Sequence, residues 1–180
     1  EEGSFQGVSA QTRVLGEGYF ATGLNAWRTG RFREGERPVI GTPTLFLGDL
    51  LRDNPFDPSR KFSDDSELCE RWSKGFNARF AISDATFQEV GKNSWQEIQV
   101  RAQMYGIADH EIFSENFEKW TLERKLKSIL HPIKVDFFTP ARHVKFREAP
   151  AAISFLGIFT VLRYAGWFSK FTKASGQRNS

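Results

Sequence analysis

Few residues in this chain have types and spacing that could do chemistry. Gly16, Glu17, Gly18, Tyr19, Phe20 and Ala21 fit the G-x-G-x-x-A of a dinucleotide fingerprint, with Arg13, Val14 and Leu15 as a short strand before it. In that motif the glycines let the backbone approach a pyrophosphate, and a following helix presents its positive end within a parallel sheet. Gly23, Gly30 and Gly35 come next and no βαβ alternation is legible, so a turn in the chain is the expectation here rather than a nucleotide site. His110, His131 and His143 have no ligand spacing with one another or with Cys69, the single cysteine. P-loop, nucleophile-elbow and HExxH patterns are absent from the sequence. Asp64, Asp65 and Glu67 cluster, but in one first helical turn, where the helix dipole favours acids. No convergent set emerges, so the expectation is no catalysis, no metal and no intrinsic cofactor.

The charge that stands out is Arg163, because of its setting. From Ala149 to Leu162 no side chain is charged; Arg163 interrupts the run, and Tyr164 and Trp167 lead into Lys170. The uncharged run falls short of the roughly 20 residues that cross a bilayer core. If Arg163 reaches the head groups, with Tyr164, Trp167 and Lys170 as interface anchors, the segment becomes long enough. Arg163 otherwise needs an acidic or carbonyl partner. Ala151, Ser154, Gly157 and Thr160 fall three apart and predict a small-residue strip where another helix could pack closely. A buried helix of a soluble domain is the competing reading of residues 149–171. Basic residues flank both ends, so charge does not orient the segment.

The elements around this segment read as follows. Residues 1–60 hold nine glycines and Pro38, Pro43, Pro55 and Pro58, between which no helix of ordinary length is expected. Tyr19, Phe20, Trp27, Phe32 and Phe46 persist through the stretch, which predicts an extended irregular arm whose rings dock on a partner. Residues 61–132 predict a small helical domain. Asp64 with Glu67 opens a helix near 64–81 carrying Leu68, Trp72, Phe76 and Phe80 on one face. Ser94 with Glu97 is a capping box for a helix that Gly106 should stop, and a third helix should start near Asp109 or Ser114 and end before Pro132. Trp72, Phe76, Trp95, Trp120 and Leu126 are the expected core. Arg124, Lys125, Lys127 and His131 read as a well-capped helix end, with a functional patch as the alternative. Residues 133–148 allow a short hairpin, 149–171 the apolar helix and 172–180 a basic tail.

At 180 residues the chain has room for one ordinary core. Hydrophobic residues are 39% and aromatics 14%, with 18 Phe and 5 Trp, so the apolar material is concentrated in a few large rings. A formal charge of +3 is too weak and too spread to argue for nucleic acid, though it suits an anionic surface. One cysteine excludes an internal disulfide. The first residue is Glu1, which fits a removed transit peptide or an upstream boundary.

The predicted fold class is therefore mainly α, with an irregular arm, a small helical middle and a late apolar helix. In this plan the chain resembles nucleus-encoded accessory subunits of organellar membrane complexes, above all the peripheral subunits that red-lineage algae add to photosystem I and its antenna. The resemblance implies a structural or assembly role in a large hetero-oligomeric complex of the chloroplast thylakoid, with lipid contacts and contact with the chlorophyll or carotenoid of a partner. An accessory subunit of a respiratory complex in the mitochondrial inner membrane is the second reading, and an RNA-binding mitochondrial ribosomal protein the third.

Overall fold

The computed structural model describes residues 4–41, 43–60, 64–90 and 94–176, with side chains as far as 170. Helix makes up 62% of the chain, so the fold is mainly α with one small mixed sheet. The chain forms two compact units rather than one core. Unit 1 comprises Glu1–Leu15 and Phe32–Glu89, and unit 2 comprises Gly16–Arg31 and Val90–Ser180.

In unit 1, strands β1 (Gly7–Leu15), β2 (Gly35–Arg37), β3 (Thr44–Phe46) and β4 (Phe80–Val90) form a sheet in the order β2-β4-β1-β3. β3 pairs antiparallel with β1, Gly7 opposite Phe46, and β2 pairs antiparallel with β4, Arg37 opposite Phe80. Between β1 and β4 the contacts advance together along both strands, Gln6 N to Arg79 O and Ser83 Oγ to Ser9 O, as in parallel neighbours. Helix α3 (Asp64–Phe76), following the short α2 (Gly48–Asp53), packs Leu68, Cys69 and Trp72 against Ile40, Phe80 and Ile82. The helix expected over 64–81 stops early. Asn77 takes φ 53°, a left-handed conformation that ends the helix, and Phe80 enters the core from a strand. Phe76 is exposed.

The stretch read as an arm is therefore built into ordered elements. Besides β1, β2 and β3 it holds α1 (Tyr19–Arg31), a full helix of unit 2 that includes Gly23 and Gly30. Both glycines are packing positions: a Cβ at Gly23 would overlap the Phe155 ring, and one at Gly30 would overlap the backbone of Pro140.

The rest of unit 2 is helical. α4 (Trp95–Asn116) begins at the predicted capping box, Ser94 Oγ accepting from Glu97 N at 3.3 Å. It does not stop at Gly106, because that residue marks where α4 meets the apolar helix α7 (Ala149–Gly176) backbone to backbone. A Cβ on Gly106 would overlap the carbonyl of Arg163, and one on Gly166 would overlap the carbonyl of Gln103. The predicted third helix begins later, as α5 (Leu122–Pro132), capped by Thr121 accepting from Arg124 N. Residues 133–148 form no hairpin: a π-helical turn, Ile133–Phe138, leads into α6 (Thr139–Ala141) and a 3₁₀ turn, Phe146–Glu148. The backbone continues helically from Pro132, so the alternating apolar pattern of Val135 to Phe138 has no strand to serve. Of the other expected core residues, Trp72 is fully buried, Trp120 half-buried, and Trp95 and Leu126 exposed. The basic tail expected at 172–180 lies beyond the described side chains.

Candidate functional site

The polar centre of unit 2 is built around Arg163, in the middle of the most apolar helix. α7 buries Ala152, Phe155, Leu156, Phe159, Thr160 and Trp167, and this spacing carries Arg163 onto the same face, where its side chain is 3% exposed. The guanidinium grips Asp109 of α4 with two bonds, Nε to Oδ2 at 2.7 Å and Nη2 to Oδ1 at 2.9 Å, and donates Nη1 to Asp136 Oδ2 at 2.6 Å. Asp136 lies on the π-helical turn and is fully buried. Its other oxygen accepts from Trp27 Nε1 at 2.8 Å and from Arg31 Nη1 at 3.1 Å, both on α1. Tyr105 closes one side, its ring centroid 5.5 Å from the Arg163 guanidinium carbon.

Burial by itself would pull the Arg163 guanidinium down, but the charges of Asp136 and Asp109 and their hydrogen bonds more than offset this, so it stands above the ordinary arginine value. The cluster joins α1, α4, the π turn and α7 through the Arg163 guanidinium and its two carboxylate partners. Within it Asp136 is fully buried, Arg163 is 3% exposed and Asp109 is 19% exposed.

The opposite face of α7 differs in kind. Ile153, Ile158, Val161 and Phe168 are exposed and Ala165 lies among them. Phe146–Lys170 is long and apolar enough to cross a membrane, and 44% of its most apolar 18-residue window is buried within the molecule.

The predicted site residues distribute differently from expectation. Of the small strip, Thr160 is buried with its hydroxyl donating to Leu156 O at 2.8 Å, Ala151 and Gly157 are half-buried, and Ser154 is exposed beside Tyr19. The backbone approach of α7 to α4 falls on Gly106 and Gly166 rather than on this strip. Among the interface anchors, Arg163 takes the acidic partners and Trp167 is buried against Phe113 and His110. The Tyr164 hydroxyl donates to Ile129 O, and Lys170 pairs with Glu111 at 3.3 Å. These four residues therefore tie α7 to its own unit.

The rings assigned to a partner-binding arm pack within the chain, Trp27 buried and the other four half-buried. Tyr19 and Phe20 pack on Trp95, Trp27 on Phe159 and Tyr105, and Phe46 on Trp72 and Phe56, while Phe32 lines the unit 1 core. Sequence reasoning passed over Asp109 and Asp136; the one available signal was that a lone arginine in an apolar helix requires acids elsewhere.

Unit 1 has a cavity of about 270 Å³ lined by residues that include Glu36, Arg37, Ser73 and Arg79. Arg79 already makes two bonds to Glu36, at 3.0 and 2.7 Å, and this hydrogen bonding holds the Glu36 carboxyl below its usual value. Cys69 is buried against the sheet, and burial pushes its thiol up to about 11. Among the described residues no group of three or more His, Cys, Asp or Glu is arranged to hold a metal ion.

At the dinucleotide-like stretch a helix does follow, contrary to expectation, with Gly16 and Gly18 at φ 109° and 91° forming the turn between β1 and α1. β1 belongs to unit 1 and α1 to unit 2, whereas the fingerprint requires a helix packed on the sheet of its own strand. Comparison with protein-family models, with curated proteins and with solved structures gives no match to this chain.

Proposed function

We propose that the chain is a non-catalytic structural subunit of a large hetero-oligomeric membrane complex, attached through the outward face of α7. The observation that carries this reading is the uncovered apolar stripe of Ile153, Ile158, Val161 and Phe168 on a helix whose inner face and arginine are already satisfied. An exposed stripe of large side chains on such a helix favours an apolar neighbour. A protein or pigment surface suits it better than a passage through lipid. α4 lies along α7 and carries the exposed Glu97, Glu111 and Glu115, whose transfer into hydrocarbon would be costly.

The sealing of Arg163, Asp109 and Asp136 supports a structural rather than a catalytic role. The photosystem I and antenna assembly of the thylakoid is the first complex proposed, with chlorophyll or carotenoid of the partner against the stripe. A respiratory complex of the mitochondrial inner membrane is the second. Both names rest on the plan of the sequence.

The test is Ile158→Asp with Val161→Asp, two exposed positions. The variant should keep its helical content by circular dichroism and lose co-migration with the membrane complex on a density gradient. Unchanged co-migration would overturn the reading.

A further inference from the structure

α5 leaves its apolar side largely uncovered. Leu122, Leu126 and Leu130 recur every four residues and are 73%, 51% and 56% exposed. The side turned inward holds Ile129, whose carbonyl accepts from Tyr164, and the buried Pro132. A helix anchored to the body of unit 2 therefore presents three leucines outward.

The charge around those leucines is of one sign. Residues 117–134 carry five basic side chains against two acidic ones, a net +3 that equals the formal charge of the whole chain. At about 100° per residue, Lys127 lies beyond Leu130 with Glu123 between them, while the half-buried Lys125 falls on the inward side between Ile129 and Pro132. Arg124 lies over the Trp120 ring, 4.9 Å from its centroid, and the Lys125 ammonium over the Phe117 ring at 3.8 Å. The one acid in the helix, Glu123, is bound to Lys127. Exposed leucines with Lys127 and Arg124 on the adjoining exposed face and a tryptophan at the helix start are the makeup of a helix lying in the headgroup plane of a bilayer. The positive excess selects an anionic surface, which draws each nearby basic side chain.

We infer that α5 docks flat on an anionic lipid membrane, with Leu122, Leu126 and Leu130 inserted at the acyl boundary and the exposed Arg124 and Lys127 on the head-group side. The inference deepens the membrane placement proposed above by naming a lipid surface, and the two can fail separately because vesicles contain no partner protein.

The test is flotation of the full chain with vesicles of phosphatidylcholine alone and of phosphatidylcholine mixed equally with phosphatidylglycerol. Binding should favour the mixed vesicles by at least about tenfold and weaken as salt is raised. Leu126→Asp with Leu130→Asp should reduce that binding at least about tenfold. Helical content should not change, since these side chains are exposed. Arg124→Gln with Lys127→Gln should reduce binding about twentyfold. Equal binding to both vesicle types, absence of binding to the mixed vesicles, or flotation of the leucine variant like the wild type would each overturn the inference. If the wild type fails to float but the leucine variant leaves the membrane complex, the face docks on protein; the lipid inference falls and complex membership stands. If the wild type floats but joins no complex, membership falls and the lipid inference stands.

Discussion

Trp72 and Arg163 each occupy the centre of a unit and are fixed by opposite means. Trp72 is fully buried among Leu68, Phe80, Ile40 and Ile82, with one polar handle, its Nε1 donating to Asn54 O at 3.1 Å. The ion pairs described in unit 1 lie toward its surface, such as Arg79 with Glu36 and Arg71 with Glu67. Unit 2 also has charges inside, where the apolar face of α7 converges on a guanidinium held by two carboxylates. A core of the first kind depends on volume and tolerates partial repacking. One of the second kind depends on every partner being present, because loss of any one leaves a buried charge unmatched.

The largest expected effect tests that difference directly. Asp136→Ala removes the acceptor of Trp27, Arg31 and Arg163 together and should cost about 3–5 kcal/mol in denaturant unfolding. Adding Arg163→Met and Asp109→Leu to Asp136→Leu should recover part of that loss, since the most buried charges then leave together while Arg31 and Trp27 still lose Asp136 as acceptor. Full stability in Asp136→Ala alone would break the comparison. Leu68→Ala in unit 1 should cost about 2–4 kcal/mol by cavity formation, and no second substitution among charged residues should restore it.

A smaller effect, about 1–3 kcal/mol, is expected for Gly106→Ala, whose added methyl overlaps the Arg163 carbonyl and must push α4 from α7. Hydrogen exchange should show faster opening in α4 and α7 and no change in β1 or β4. The smallest effect is confined to alkaline pH. Burial, aided by the charge of Asp65, raises the Cys69 thiol from 9.0 to about 11 against the pull of a hydrogen bond from the Ile40 backbone. The folded state therefore holds this proton more tightly than the unfolded chain. Its contribution is complete below pH 9.0 and is lost as pH rises through about 11. Unfolding of wild type and Cys69→Ala compared across that window measures it, and equal slopes would remove the thiol from the account.

What was legible in the sequence was local. The Ser94–Glu97 capping box gives the start of α4 to the residue, because both halves of its bonding lie within one turn. The uncharged run gives α7, whereas the sequence pattern places the third helix too early, since α4 runs on through Asp109 and Ser114 and α5 starts only at Leu122. What escaped depended on partners far along the chain. Gly23, Gly30 and Gly106 read as breaks, yet each is helical because a ring or a backbone from elsewhere occupies the room of a side chain. The acids that hold Arg163 are 54 and 27 residues away, and Asp136 reaches Trp27 across 109 residues. No window of helical periodicity contains such a pair. The five rings assigned to a partner pack against chain that comes later, which the local pattern does not show.

The interleaving of the two units sets an order on how the polypeptide can mature. Segment 16–31 leaves the ribosome before any of unit 1 beyond β1, but its acceptor Asp136 and its packing surface Phe155 and Phe159 come more than 100 residues afterwards. At about 5–20 residues per second, α1 spends several seconds as a nascent helix with Trp27 and Arg31 unmatched, while the segments of unit 1 are already complete. Closing so long a loop is the slow step that contact separation imposes. During that interval the aromatic face of α1 is a natural client for chaperones, and translational pausing between residues 90 and 149 would lengthen its exposure.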